Sequence, residues 1–108
     1  MSIIDIWINC PDETVARRIA EDLIDKRLAA CANLYPAIRS VYRWQGAIER
    51  ESEVPLLVKT RADLFDAVAT AVGAIHPYET PSIIGLEIAH VNADYRDWVV
   101  AETGKAGG

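Results

Sequence analysis

The chain has 108 residues, 51% of them hydrophobic and 25% charged, with a formal net charge of −5. This is the composition of one ordinary globular domain, not of a disordered tract. The negative balance argues against nucleic acid as a partner, since phosphate binding needs a basic surface, and no apolar run is long enough to span a bilayer.

The first element is IIDIWIN, a strand in which Ile4, Ile6 and Ile8 alternate with Ile3, Asp5 and Trp7. Its opening has no basic n-region and carries Asp5 within the apolar run, so it does not read as a signal peptide. A cytoplasmic setting is expected, with Cys10 and Cys31 as free thiols. PDE then predicts a helix start, with Pro11 at the first helical position and Asp12 and Glu13 at the positive end of the dipole. Val15, Ile19, Leu23 and Ile24 form its apolar stripe. From Cys31 to Trp44 the residues favour strand, with a bend or edge at Pro36. WQGAIE, with Gly46, reads as a hairpin tip. The return strand runs from Ile48 to about Lys59, and Pro55 marks an irregularity or an edge. TRAD, 60–63, resembles a capping box, followed by Leu64, Phe65, Val68, Val72 and Ile75 at helical spacing. HPYETP cannot continue that helix. SIIGLEIAHV is the last strand, with Ile84, Leu86 and Ile88 on one face. NADYRDWVV closes as a short helix, with Asn92 or Asp94 as cap and Tyr95, Trp98 and Val99 packing inward.

The order βαββαβ plus a short C-terminal helix predicts an α+β, ferredoxin-like sandwich with two helices on one sheet face. Residues 1–103 form the domain, and 104–108, GKAGG, read as a flexible tail. Strict alternation puts Ile3, Trp7, Leu57 and Gly85 on the other face, with Asp5, Lys59 and Glu87 among them. So apolar a face predicts an oligomer whose sheets meet.

LAACANL, SVYRWQGAIE, LLVKT, HPYETPSIIGLEI and YRDWV, in this order and spacing, resemble the CutA family of divalent-cation tolerance proteins over residues 3–100 or so. The resemblance implies a homotrimer in which long hairpins pack against neighbouring subunits. It also implies a cytoplasmic role in tolerance of copper and other divalent metals, with no established reaction. In some bacterial members the proposed copper site joins a cysteine near the end of the first strand to one or two histidines before the PY pair. Here His76 matches the histidine before Pro77, Ile75 takes the preceding position, the cysteine position falls on Ile8, and Cys10 lies two residues on.

Two readings of HPYETP stay open from the residues themselves. His76 and Cys10 could ligate a divalent metal, Cu(II) first, that folding does not require. Otherwise His76 fixes a turn and Cys10 packs as a small buried residue. Cys10 stands at a helix start, where backbone N–H groups can lower a thiol's pKa; Cys31 reads as core. Lys59, Tyr78 and Glu79 could bind a small ligand, which would make the chain a trimeric signalling or adaptor module of PII-like build. Otherwise Lys59 pairs with Glu87 or Asp5. Tyr42, Trp44, Glu49 and Glu51 read as a solvated hairpin face or a subunit contact, and ERESE as a solvated run. Catalysis has little support: no serine stands in a His–Asp pattern and there is no Gly-rich phosphate loop. An enzyme at the same cleft would use His76 as general base. The expected function is therefore a non-enzymatic one, binding divalent cations or a small ligand near subunit clefts.

Overall fold

A computed structural model describes residues 2–104. The elements are β1 (Ile3–Cys10), α1 (Glu13–Asp25), β2 (Cys31–Leu34), β3 (Ile38–Trp44), β4 (Ala47–Arg61), α2 (Phe65–Ile75), β5 (Ile83–Glu87) and α3 (Ala93–Glu102). The sheet order is β2-β4-β1-β5, antiparallel throughout, and β3 continues the pairing along the far half of β4. This is the ferredoxin-like α+β sandwich. Of the predicted tail, only Gly104 lies within the described residues; its N–H donates to the Arg27 carbonyl at 2.8 Å.

The core lies between the sheet and α1 and α2. Ile4, Ile6 and Ile8 of β1 meet Leu56 and Val58 of β4, Ile19 and Leu23 of α1, and Val68 and Val72 of α2. Ala16 and Ala20 complete the inward face of α1, whereas Ile24 turns outward. Asp12, not Pro11, makes the helix start: its carboxylate accepts from the Val15 N–H at 2.9 Å, leaving Pro11 before the cap. The capping box expected at TRAD does not form. Thr60 instead donates its hydroxyl to the buried Leu28 carbonyl at 2.7 Å, and Arg61 pairs with Asp63 over a 3-10 turn, Ala62–Leu64.

Pro36 splits the predicted strand into β2 and β3, and this explains how Pro55 is tolerated within the continuous fifteen-residue β4. The Pro55 carbonyl accepts from Tyr35 N–H at 2.9 Å. The missing Pro55 N–H would point to the same side, at the 35–37 bend where the pairing of β4 passes from β2 to β3. The hairpin tip turns through Gln45 at φ 49° and Gly46 at φ 83°, both positive as a type I′ turn requires.

The sheet face away from the core differs from the expectation at β5. Trp7 pairs with Ile84 and Asp5 with Leu86, so Ile84 and Leu86 join Ile3, Trp7 and Leu57 on that face. Gly85 and Glu87 fall on the helix side, opposite Ile6 and Ile4. The cause is steric: a Cβ at Gly85 would stand 3.0 Å from the Phe65 ring. Cys31, in register with Lys59, also lies on the outer face rather than in the core. There α3 covers part of the sheet, burying Val99 and setting Tyr95 beside Cys31. Trp98 stays exposed, its ring tilted against Tyr95 at 5.5 Å, instead of packing inward.

Candidate functional site

The segment HPYETP lies where the end of β1, the root of the hairpin and the start of β5 converge. Pro77 disfavours the helical region for His76, which takes φ −64° and ψ 131° and ends α2. The His76 N–H still reaches the Val72 carbonyl at 2.8 Å, so the last turn closes. The chain then folds back over the imidazole.

His76 is 7% exposed and uses both ring nitrogens. The Tyr78 N–H donates to Nδ1 at 3.1 Å. Nδ1 must therefore be the acceptor, and Nε2 carries the proton that it donates to the Asn9 carbonyl at 2.8 Å. The imidazole is thus a neutral bridge between β1 and the loop. The Tyr78 ring packs on it at 4.7 Å between centroids, and its hydroxyl donates to Glu53 Oε2 at 3.1 Å. Burial pushes the Tyr78 phenol up, reinforced by the charge and hydrogen bond of Glu53, so it remains a donor. Asn9, His76, Tyr78 and Glu53 form one continuous polar chain from β1 to β4.

Cys10 is buried beside this chain at the end of β1. Its thiol is pushed up from 9.0 to about 11, first by burial, then by Asp12 and Glu53. The expected lowering by the helix start is outweighed. Among the described residues, no three or more His, Cys, Asp or Glu side chains are grouped so as to hold a metal ion. With His76 hydrogen-bonded at both nitrogens and Cys10 protonated at neutral pH, these residues do not fit a preformed metal centre within one chain.

Tyr78 and Glu79 instead line a cleft of about 610 Å³, open between the hairpin and the loop before β5. Tyr42 and Trp44 of β3, Glu53 of β4 and Asn9 of β1 form its other walls, with Ser40, Val41, Thr80 and Ser82. Lys59 is not among them. It stands in mid-sheet between Asp5 and Cys31, six residues along β4 from Glu53, or roughly 20 Å at strand rise. The structure therefore brings Tyr78 and Glu79 together and leaves Lys59 apart.

Glu53 is the site residue that sequence reasoning missed. It is only 6% exposed. The signal was present in ERESE, whose alternate glutamates share a hairpin face with Tyr42 and Trp44: Tyr42 pairs with Glu49, Ser40 with Glu51 and Ile38 with Glu53.

The model of the CutA1 divalent ion tolerance protein family matches residues 4–102. The divalent-cation tolerance protein CutA of Thermus thermophilus is 46% identical over 99 residues, 92% of this chain and 96% of that protein. Protein CutA of Mus musculus is 43% identical over 91% of this chain; the chain spans 55% of that protein's length. The crystal structure of CutA1 from Oryza sativa superposes with a TM-score of 0.94 at 35% identity, covering 98% of this chain and 97% of that one. Motif order, fold and likeness over nearly the whole chain agree: the chain belongs to the CutA1 divalent ion tolerance family.

Proposed function

We propose that the chain acts in divalent-cation tolerance without catalysing a reaction, as a cytoplasmic homotrimer that binds a divalent ion weakly near its subunit clefts. One observation carries the metal assignment. His76 bonds to the carbonyl of Asn9, which places an imidazole at the strand end that bears Cys10. Copper and zinc favour that donor pair. Binding there is weak because it must displace the Tyr78 N–H from Nδ1 and remove the Cys10 proton. Two free thiols and the absence, among the described residues, of a helix able to cross a membrane agree with the cytoplasmic assignment.

Calorimetry with Cu(II) and Zn(II) on chelator-treated, reduced protein tests this reading. We expect saturation at roughly one metal per chain, affinity rising with pH, and loss of binding in His76→Ala and Cys10→Ala. Binding unchanged in both variants would sink it.

A second reading has its own observation in the volume and aromatic walls of the cleft, which are those of a small-molecule site. In that reading the trimer is a signalling or adaptor module, and Tyr78 and Glu79 contact the ligand.

A further inference from the structure

We propose that the cleft between the hairpin and the loop before β5 binds a small organic cation: a protonated amine on an apolar or aromatic body. This rests on the second reading, that the cleft is a ligand site, and names the chemistry it selects.

Glu53 is the first reason. It is more than nine-tenths buried, lines the cleft, and has the Tyr78 hydroxyl on Oε2. One neutral phenol leaves most of a carboxylate's acceptor capacity unused, and a buried carboxylate needs a counter-charge. None of the described residues lining the cleft is Lys, Arg or His.

The walls are the second reason. Tyr42, Trp44 and Tyr78 offer aromatic faces, which attract cations through the ring quadrupole.

Charge sorting on the hairpin is the third. Strand alternation sends Glu49, Glu51 and Glu53 to the face of Tyr42, and Arg39, Arg43 and Arg50 to the opposite face. The cleft side is therefore acidic in a way the hairpin's overall composition does not reveal.

These features separate the ligand classes. An anion meets Glu53 and Glu79 and, among the described lining residues, no cation. A neutral ligand leaves Glu53 uncompensated. A hard divalent ion seeks about six oxygens and zinc about four thiolate, imidazole or carboxylate donors, whereas among the described residues the cleft is lined by Glu53 and, exposed, Glu79, with no Cys or His. A single ammonium with an apolar body satisfies both the carboxylate and the rings.

The test is calorimetry at neutral pH on the protein in its native assembly, with three matched probes: phenethylammonium, 2-phenylethanol and phenylacetate. We expect the amine to bind at least roughly tenfold more tightly than the alcohol, and phenylacetate not to bind. Glu53→Gln keeps the shape and should reduce the amine to the alcohol's affinity. Trp44→Leu, at the exposed hairpin, should weaken the amine without touching the core. Equal binding of amine and alcohol, indifferent to Glu53→Gln, would overturn the amine assignment and leave the cleft a ligand site. Failure of all three probes would overturn both. Displacement of the amine by equimolar Zn(II) would make the cleft a metal site and overturn the proposal. The metal reading at His76 and Cys10 is tested separately by its own variants.

Discussion

His76, 7% exposed, bonds two backbone groups through its ring, the Asn9 carbonyl and the Tyr78 N–H. His76→Ala should leave the Asn9 carbonyl and the Tyr78 N–H unpaired, at a cost of about 2–4 kcal/mol. Urea denaturation of metal-free protein checks this. A residue serving only as a metal ligand would leave the midpoint unchanged. Cys10 makes a prediction in pH. Its thiol is raised from 9.0 to about 11 on folding, so the folded chain keeps a proton that the unfolded chain loses first. Stability from this group is fully present below pH 9 and falls as pH rises through the interval to about 11. The thermal midpoint of Cys10→Ala should therefore fall less between those values than that of the parent. Tyr78, also raised, extends the decline in both proteins.

At the scale of elements, β5 depends on one missing methyl group. Gly85 lies opposite Ile6, and its absent Cβ leaves the Phe65 ring room at 3.0 Å. Gly85→Val should destabilise by about 1–3 kcal/mol through overpacking. In a Phe65→Ala background the same change should cost less, and a double-mutant cycle by chemical denaturation measures the coupling. Period-two alternation alone does not fix which face of β5 joins Trp7; the register with β1 does. A slip of one residue exchanges the two faces of a strand. The hairpin tip was legible, since Gly46 in a short turn between strand formers carries its own geometry. So was the bend at Pro36. The tolerance of Pro55 was not legible, because it depends on a gap in the neighbouring strand.

The described residues span 44 × 27 × 22 Å; the hairpin of β3 and β4 extends past the sheet. Val41 is 69% exposed and Ile48 52%, on the face that also carries Arg39, Arg43 and Arg50. A two-stranded hairpin is marginal on its own in water, and a face of exposed aliphatic and arginine side chains suits an interface. The outer sheet face adds half-exposed Ile84 and Leu86. We expect sedimentation equilibrium to give three times the chain mass of 11.9 kDa, and Ile84→Lys with Leu86→Lys to shift it toward the monomer. A monomeric parent at micromolar concentration would refute this assembly.

Element type and order, the inward stripe of β1 and α2, the hairpin tip and the end of α2 at His76 all followed from the sequence. Each rests on local periodicity or on the stereochemistry of proline and glycine, which act within a few residues. The family likeness followed from motif order alone. Tertiary structure decided the rest. It moved Cys31 from the core to the outer face, left Trp98 outside, set Lys59 far from Tyr78, and carried Glu53 out of a run that read as solvated. Those outcomes depend on register and on which loop closes over which strand. Such contacts join residues as distant as Asn9 and His76, and no local pattern encodes them.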